Sequence, residues 1–388
     1  ALGFSTSRTL NHRTSDGQPT PTLTAGEDEL TGIALGLKAA GKGVLQVVSD
    51  FAQPREEFAM LRRIVEASGR PLSFSLVQSP KAPEAYHTML DALSDATASG
   101  LRIKAQVAGR PVGVLLGFEL TMNPFSHTET YREIAGRPFA ERMTALSDPA
   151  FQARLLAETD HVRGHEIAAA LTRNWNIMFL LGDEPDYEQT PDRTVAALAK
   201  ARGVSPETLA LEHMLRNGGR GMLYLPFLNY ADGSLDPSYV MMTHPDTVPG
   251  LSDGGAHVGM ICDGSFPTSN ITHWTRDRTR GPRLPLEQIV RLQTRGTAET
   301  VGLYDRGLLA PGYRADVNII DYDALKLDAP EVAYDLPSGG RRLIQRAHGY
   351  VATLVAGQVT YRDGEPTGAL PGRLLRGSQS APAALAAE

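Results

Sequence analysis

Residues 43–77 read GVLQVVSDFAQPREEFAMLRRIVEASGRPLSFSLV. An apolar, β-branched run at 43–49 is followed at 56–68 by apolar residues spaced three and four positions apart, and then by a second apolar run at 71–77. The runs are typical of strands, and the spacing between them is typical of an amphipathic helix that ends at Gly69. The segment therefore predicts one strand-helix-strand unit, and repeated units of this kind build a parallel sheet.

The same alternation continues along the chain. Residues 82–98 predict a helix and residues 101–107 (LRIKAQV) predict a strand. The rhythm then breaks into helices, with one predicted strand at 176–181 (NIMFLL), and a connection of this length is too long for an ordinary loop. We therefore expect a helical insertion at about 117–220.

In the last third of the chain, the spacing of the apolar residues changes from that of a helix to that of short strands. A helix is predicted at 286–303, with Pro285 suited to its first turn. After it, residues 315–321 (ADVNIID) and 350–361 (YVATLVAGQVTY) predict short strands of a small β domain, the latter with a turn at Ala356 and Gly357. The Ala-rich tail at 378–388 is predicted to be disordered.

Composition excludes several classes of partner. The 388 residues are 41% hydrophobic, which is enough for a large core, and carry a formal net charge of -6. Lys and Arg are scattered, so we expect no nucleic-acid partner, and no run approaches the roughly 20 apolar residues that span a membrane. Cys262 is the single cysteine, so an internal disulfide is excluded and a cytoplasmic location is expected. The composition leaves open whether the protein forms a homo-oligomer.

The heptad LSDGGAH at 251–257 is the strongest candidate for a site. It places a carboxylate, a glycine pair and an imidazole directly after a short apolar run. If that run is a strand, Asp253 lies at its carboxyl end, where α/β barrels carry their chemistry. The structural alternative is an Asx turn in which Asp253 only caps the loop backbone. The heptad alone leaves both interpretations open.

Longer motifs surround the heptad and extend over the chain. They are ALGFSTSR (1–8), THPDTVPGLSDGGAHVGMICDGSFPT (243–268), HWTRDR (273–278), TAETVGLYDRGLLAPGYRADVNIID (297–321) and DGEPTGALPGRLLRG (363–377). Together they resemble the N-acyl-D-amino-acid deacylase (D-aminoacylase) branch of the amidohydrolase superfamily. The resemblance implies a metal-dependent-hydrolase (β/α)8 TIM barrel with a small β domain.

Mapped onto this sequence, the resemblance gives an α/β fold in three parts. Residues 1–305 are expected to form barrel strands four to eight with the insertion, residues 306–377 a small sandwich-type β domain, and residues 378–388 the tail. The family's first strand normally ends in a His-x-His pair, and none occurs in these 388 residues. We therefore expect an incomplete barrel, with the chain being a fragment that lacks its N-terminal strands.

The resemblance also implies a chemistry. Asp253 matches the aspartate that ligates metal and shuttles protons, so a zinc ion, expected as one per chain, is the implied cofactor. The implied reaction is hydrolysis of the amide of a small-molecule N-acyl amino acid, with the D configuration suggested by the family. Two alternatives stay open: hydrolysis of another linear or cyclic amide, and a metal-free binding protein of the same fold.

One departure from the family weakens the metal prediction. Deacylases of this type place a metal-ligating histidine after each of the fifth and sixth strands, but the nearest polar side chains here are Asp50 and Gln78. A carboxylate can ligate zinc, whereas a carboxamide is a poor zinc ligand compared with imidazole. We therefore expect a mononuclear site rather than a binuclear one.

Two histidines are candidates for catalysis. His12 lies in a polar loop expected at the catalytic rim, where it would act as ligand, acid or substrate contact. His257 lies four positions after Asp253 and is predicted to hydrogen-bond and orient that carboxylate. His161 and His165 have the four-residue spacing of some zinc sites, but a solvated helix face is favoured because no third ligand is evident.

Substrate recognition requires a cation for the free carboxylate of an N-acyl amino acid. Arg276 and Arg278 in HWTRDR are the candidates, because the planar guanidinium pairs well with a carboxylate. The structural alternative is a surface ion pair with Asp277. Asp263 in the ICDGS turn is a candidate for the pocket or a turn residue, and Arg8 and Arg13 are weaker options.

Overall fold

The computed structural model describes residues 2–14, 16–158, 171–252, 254–255 and 257–383. The strands are β1 (Gly3–Arg8), β2 (Val44–Ser49), β3 (Leu72–Ser75), β4 (Ile103–Val107), β5 (Val112–Leu116), β6 (Phe179–Leu181), β7 (Met222–Leu228), β8 (Thr247–Pro249), β9 (Val317–Ile320), β10 (Lys326–Leu327), β11 (Glu331–Leu336), β12 (Gly340–Ile344), β13 (Ala347–His348), β14 (Tyr350–Val355), β15 (Gln358–Arg362) and β16 (Glu365–Pro366).

The α-helices of the described residues are α1 (Glu27–Ala39), α2 (Pro54–Ser68), α3 (Ala85–Ala98), α4 (Glu129–Ala135), α5 (Phe139–Leu146), α6 (Pro149–Ala157), α7 (Val195–Arg202), α8 (Pro206–Met214), α9 (Asp236–Thr243), α10 (Phe266–Thr272), α11 (Leu286–Arg291) and α12 (Thr297–Thr300). Short 3₁₀ turns occur at Pro21–Thr24, Pro191–Arg193 and Pro337–Gly339, a kinked helical turn at Arg216–Gly219, and π-helical segments at His273–Asp277 and Leu292–Gly296. No helix of the described ranges has the length and apolar character needed to cross a membrane.

A parallel sheet forms the centre of the fold. Its strand order is β1-β2-β3-β4-β8, and every neighbouring pair is parallel. The predicted strands at 43–49, 71–77 and 101–107 are confirmed by β2, β3 and β4, and the predicted helices by α2 and α3. The five parallel strands and the helices between them confirm the α/β class.

The two faces of this sheet differ in polarity because side chains alternate along a strand. The face toward the helices is apolar: Leu45, Val47, Leu72, Phe74 and Ile103 are at most 2% exposed and belong to one core with residues of α1, α2 and α3. Each such side chain stabilises the fold by about 1.5–3 kcal/mol.

The opposite face of the sheet is polar. Ser5 on β1 hydrogen-bonds Gln46 on β2, and Gln106 Nε2 on β4 donates to Ser73 Oγ on β3 at 2.9 Å. Bulky branched residues fill the interior of an ordinary TIM barrel. The inner face of this sheet therefore does not provide an apolar core of its own.

The insertion contains its own sheet as well as helices. Strands β5, β7 and β6 form an antiparallel sheet in that order, and a second apolar core joins it to α4–α8. The strand predicted at 176–181 is confirmed by β6. Strands β5 and β7 lie just outside the expected limits of 117 and 220, so these limits stay a prediction.

The helix predicted at 286–303 is confirmed with an interruption. Helices α11 and α12 are continuous through the π-helical segment Leu292–Gly296, and the run ends at Thr300. The altered hydrogen bonding of a π segment lets one extra residue fit into a helix without ending it.

The C-terminal β domain follows as antiparallel strands in the order β16-β15-β14-β9, with the pairs β11-β12 and β10-β13. The turn predicted at Ala356 and Gly357 joins β14 to β15 with positive φ at both residues, 51° and 78°, as a two-residue hairpin requires.

The start of the tail is ordered, contrary to the predicted disorder. Gln379 N donates to Gly302 O at 2.9 Å, and Tyr304 N donates to Gln379 O at 3.0 Å. These backbone hydrogen bonds attach residue 379 to the end of the barrel helix. Residues 384–388 of the predicted disordered tail lie outside the described residues.

Candidate active site

The carboxyl ends of the parallel strands define one rim of the sheet. Segments 9–14, 50–53, 76–79, 108–111 and 250–265 follow β1, β2, β3, β4 and β8 there. In barrels of this kind the chemistry lies on loops at this rim. The sequence candidates Asp253, His257, Asp263 and His12 all belong to these segments.

The segment after β8 is attached to β4 where it begins. Asp253 itself lies outside the described residues. Before it, Gly250 N donates to Val107 O at 2.9 Å, and a side chain at position 250 would contact Gln106. Leu251 and His257 adopt positive φ values of 62° and 53°, which are uncommon for residues other than glycine. The roles of Asp253 as metal ligand and proton shuttle stay predictions.

His257 and His12 lie at the rim, and their roles stay predictions. His257 is exposed, and its carbonyl oxygen accepts hydrogen bonds from Met260 N at 2.8 Å and Ile261 N at 2.9 Å. His12 is exposed, with its Nδ1 atom 2.6 Å from Ser7 Oγ at the end of β1. An imidazole beside a hydroxyl can exchange a proton with it, so this pair is able to take part in acid-base chemistry.

The polar side chains after β2 and β3 hold neighbouring loops. Asp50 accepts hydrogen bonds from Thr9 Oγ1 and, at 2.9 Å, from Leu10 N. Its carboxylate therefore fixes the loop after β1.

Gln78 is buried and links the end of β3 to the loop after β7. Its Nε2 donates to Asp232 Oδ2 at 2.6 Å, and its Oε1 accepts from Ala231 N at 3.1 Å. Its backbone N donates to Asn229 Oδ1 at 2.7 Å. Both the nitrogen and the oxygen of the carboxamide thus help to hold this loop.

The fit of a metal to these donors can be tested directly. Among the described ranges, no group of three or more His, Cys, Asp or Glu side chains is arranged to hold a metal ion. Asp50 and Gln78 are engaged with loop backbone, as shown above. The described donor set therefore does not fit a metal site.

Arg278 does not occupy a position suited to substrate binding. Its guanidinium is fully buried and donates to both carboxylate oxygens of Glu188, at 3.0 and 2.9 Å, and to Asp236 at 2.7 Å. It also packs over the Trp274 ring at 4.6 Å. This geometry corrects the prediction for Arg278, since a cation already paired in the core is unavailable to a substrate carboxylate.

Arg276 contacts the β domain. It pairs with Asp277, as the structural alternative predicted, and donates to Tyr322 O at 2.5 Å and Leu325 O at 2.7 Å. None of these contacts involves the rim, so substrate binding by Arg276 stays a prediction without support from them.

Glu188 is an important residue that the sequence analysis missed. It is 3% exposed, and besides Arg278 it bonds His273 Nε2 at 2.9 Å and Leu235 N at 2.9 Å. Burial alone would raise the pKa of Glu188, but the bonds from His273 and Arg278 outweigh it and lower the pKa to about 2. No local motif marks this residue, because its partners are distant in sequence.

Asp263 is buried against Arg110, a second residue that the sequence analysis missed. The two residues are 4% and 3% exposed, and Arg110 Nη2 lies 3.0 Å from Asp263 Oδ1. Burial also raises the pKa of the neighbouring Cys262 thiol to about 11. The one signal that marks Arg110 in the sequence is its place just after β4, at the predicted rim.

A polar cavity of about 540 Å³ adjoins Arg110. It lies between the insertion loop at 183–187, helix α10 and the β domain, and its lining includes Gly109, Tyr187, Ser269 and Lys326. Its volume is within the range of small-molecule pockets.

Three further histidines have structural partners. His244 Nε2 is 2.8 Å from Ser94 Oγ, and His348 Nε2 is 2.7 Å from Asp328 Oδ2. His273 bonds Glu188, as described above. His161 and His165 lie outside the described residues.

Comparison with solved structures shows the fold of D-aminoacylase. A D-aminoacylase variant in complex with copper chloride matches with a TM-score of 0.51 and 18% identity, covering 97% of this chain and 62% of that one. A D-aminoacylase with a binuclear metal centre matches with a TM-score of 0.50 and 18% identity, covering 95% of this chain and 61% of that one. The chain thus spans less than two thirds of the length of either protein.

A local relationship in sequence is also found. Two 5-methylthioadenosine/S-adenosylhomocysteine deaminases from strains of Desulfitobacterium hafniense are 32% identical over 85 residues, which is 20% of this chain and 20% of theirs. The model of the Amidohydrolase family, in contrast, matches residues 1–361, nearly the whole chain. The chain therefore belongs to the Amidohydrolase family.

Proposed function

We propose that this protein hydrolyses the amide bond of an N-acyl amino acid, of D configuration, with Asp253 as the proton shuttle. The observation that carries the proposal is the family match over residues 1–361. It is supported by the parallel sheet, because residues 250–252 follow β8 at the carboxyl ends of the strands, where barrels carry their chemistry. The substrate class comes from the likeness to D-aminoacylase.

In the proposed reaction, the oxygen of a water molecule bonds to the amide carbon while Asp253 takes a proton from that water. The same carboxyl group then delivers that proton to the leaving nitrogen as the carbon-nitrogen bond breaks. The products are a carboxylic acid and a free amino acid. We do not assign Arg278 to the substrate carboxylate, because it is buried in an ion pair, and the described contacts of Arg276 lie at the β domain.

Zinc remains a proposal, with Asp253 as its one proposed ligand in this chain. The described donors do not build a site, so the remaining ligands would come from outside them. D-aminoacylase has a binuclear centre in which one metal activates and a second attenuates. This behaviour is compatible with one functional ion, as we propose for this chain.

Two other functions compete with this proposal. The first is hydrolysis of another linear or cyclic amide, and the local likeness to the deaminases favours a substrate other than an N-acyl amino acid. A metal-free binding protein is favoured by Asp50 and Gln78, whose polar atoms hold loops and do not converge on a metal site.

Activity and metal content separate these three functions. The purified full-length protein would be assayed on matched N-acetyl-D- and N-acetyl-L-amino acids and on cyclic amides, with metal per chain measured by elemental analysis. We expect turnover of the D substrates and about one zinc per chain. Turnover of cyclic amides alone would favour the first alternative, and absence of both metal and turnover would favour the binding protein.

The assignment of Asp253 has its own test. Asp253→Asn should lower kcat by about 100-fold or more, because general acid-base catalysis contributes about 10²–10⁴-fold. The melting temperature should stay within about 2 °C, since a rim loop contributes little to the core. Asp95→Asn, on the exposed surface of α3, is the matched control and should leave kcat unchanged. Normal turnover in Asp253→Asn would exclude it as the proton shuttle.

A further inference from the structure

Arg110 makes several bonds to one short segment of the rim. It lies three residues after the end of β4, and its side chain is buried. Its Nη1 donates to Ser265 Oγ at 3.1 Å, while its Nη2 donates to Cys262 O at 2.9 Å and to Asp263 Oδ1 at 3.0 Å. A planar guanidinium holds its donors in a fixed fork. These three bonds therefore fix residues 262–265 relative to β4.

Aromatic rings and a tight backbone fix the guanidinium itself. The carbon at its centre is 3.9 Å from the centroid of the Tyr187 ring and 4.4 Å from that of Phe266. The preceding residue, Gly109, is closely packed, because a Cβ atom there would lie 2.1 Å from Asn270 Oδ1 and the Asn270 side chain would have to move. Gly109 O also accepts a hydrogen bond from Trp274 Nε1 at 2.6 Å. Both the backbone and the side chain at this position are therefore held in place.

The same contacts reach the residue next to Asp253. Ser252 Oγ donates to Asp263 O at 2.6 Å, so Asp263 binds Arg110 through its carboxylate and Ser252 through its carbonyl. Before them, Gly250 N is bonded to Val107 O of β4 at 2.9 Å. The chain just before position 253 and the chain at 262–265 are thus both attached to the end of one strand.

The β domain supports this arrangement from outside. Ser265 Oγ, which accepts from Arg110, donates to Gln345 Oε1 at 2.5 Å. Gln345 Nε2 in turn donates to Tyr187 OH at 3.1 Å and to Asp328 O at 2.8 Å. The three parts of the fold, which are the sheet, the insertion and the β domain, meet at this cluster.

We infer that Arg110, paired with Asp263, is a positioning residue that holds Ser252 and residues 262–265, which lie on either side of Asp253 in the sequence, at the rim of the sheet. The inference rests on the proposed function for its effect on turnover. Arg110 is not the anchor for the substrate carboxylate, because Asp263 already neutralises its charge in the core. Its effect on catalysis is geometric, and a displacement of about 1 Å in a catalytic group lowers a rate by about 100-fold.

The rate at which the Cys262 thiol is labelled measures how well residues 262–265 are held in place. Cys262 is the single cysteine of the chain, it is buried, and its carbonyl accepts from Arg110. The Arg110 charge lowers the pKa of this thiol, although burial dominates and raises it. Removing the positive charge of Arg110 therefore makes the Cys262 thiol less ready to ionise to the reactive thiolate. Faster labelling in a variant without Arg110 would report opening of the segment and not an electrostatic effect.

The experiment compares Arg110→Gln with the native protein in two independent measurements. Labelling of Cys262 by a thiol-reactive disulfide should be at least about 10-fold faster, and kcat should fall by about 100-fold with KM changed less than about threefold. Arg110→Lys keeps the positive charge but not the planar guanidinium. Its labelling rate and kcat should therefore lie between those of Arg110→Gln and the native protein. Arg132→Gln, an exposed arginine of α4, is the control and should change neither measurement.

The outcomes separate this inference from the proposed function. Faster labelling in a protein without hydrolase activity would support the positioning of the segment and overturn the proposed function. Labelling and kcat both within twofold of the native protein, or a rise confined to KM, would overturn the inference. If Arg110→Gln does not fold, Ser252→Ala at its exposed position applies the same test: kcat should fall severalfold, and an unchanged kcat would overturn the inference.

Discussion

Glu188 keeps a negative charge inside the protein because its neighbours compensate for its burial. Four hydrogen bonds, from His273, Leu235 and the two-pronged contact of Arg278, satisfy its carboxylate. These bonds join the insertion to the helical region after β8, since residues 188 and 278 are 90 positions apart. The stability of the contact between these two regions therefore depends on the ionised form of Glu188.

This dependence predicts a specific response to pH. The folded pKa of about 2 is below the ordinary value of 4.5, so the stabilisation is complete above pH 4.5 and is lost as pH falls toward 2. Glu188→Gln should lower the free energy of unfolding by about 3 kcal/mol at pH 7 and by about half as much at pH 3. Urea unfolding at several pH values measures this difference.

The matched control for this prediction is Glu66→Gln, which removes an exposed carboxylate paired with Arg62 on α2. Exposed pairs of this kind contribute about 0.5 kcal/mol, so its effect should be small at every pH. A Glu188→Gln effect that is equal at pH 7 and pH 3 would contradict the role of its ionisation.

At the scale of elements, His213 fastens helix α8 to the insertion sheet. Its Nε2 is 3.1 Å from Leu181 O on β6 and 2.9 Å from Met222 O on β7, and these two residues are paired across the strands. Because both partners are carbonyl oxygens, Nε2 carries the hydrogen. Burial lowers the pKa of His213 from 6.5, so the ring is held in its neutral form.

The neutral ring predicts that the insertion loses stability in mild acid. The folded pKa is below 6.5, so the stabilisation is present above pH 6.5 and decreases as pH falls below it, when the unfolded chain takes up the proton first. The loss is at most about 1.4 kcal/mol per pH unit. Hydrogen-deuterium exchange of β6 and β7, corrected for intrinsic rates, should accelerate between pH 7 and pH 5.

Two variants check that His213 is the cause. In His213→Gln this pH dependence should disappear, whereas His87→Gln, at an exposed ring on α3, should retain it. Unchanged pH dependence in His213→Gln would assign the effect to another group.

The elements that were predicted from sequence are those with a clear period. Strands β2, β3 and β4 alternate with helices whose apolar residues recur at helical spacing, so type and order could be assigned. Strands β5 (VGVLL) and β7 (MLYLPFL) are continuous apolar runs buried on both faces, and such runs do not distinguish a strand from a buried helix. The attachment of Gln379 depends on a long-range backbone pairing that no local pattern encodes.

The candidate site likewise has one part that could be predicted from the sequence and one part that could not. Its rim could be predicted, because strand ends follow from the strands. The pairings of Arg278 with Glu188, of Asp263 with Arg110 and of Gln78 with Asp232 could not, since these partners lie 90, 153 and 154 positions away and are set by packing. A polar residue at a strand end has the same local sequence whether it binds a ligand or holds a loop.

For the molecule as a whole, these long-range contacts connect the sheet, the insertion and the β domain. Arg278 and Glu188 join the insertion to the region after β8, the Arg110 cluster joins all three parts, and Arg276 joins the barrel to the β domain. Ser252 and Asp263, on either side of Asp253 in the sequence, take part in these contacts, so their positions depend on how the parts are docked. The stability of this docking and the proposed catalysis should therefore be linked.

Arg276 provides the test of that docking, and it also decides between its two predicted roles. If Arg276 fastens the β domain through Tyr322 O and Leu325 O, Arg276→Ala should lower the free energy of unfolding by about 1–2 kcal/mol and speed proteolysis after residue 305, with KM little changed. If it binds the substrate carboxylate, KM should rise by about 10-fold or more and stability should not change. Arg346→Ala, an exposed arginine of the β domain paired with Glu331, is the control. The contacts with Tyr322 and Leu325 favour the first result, and a change confined to KM would restore substrate binding as its role.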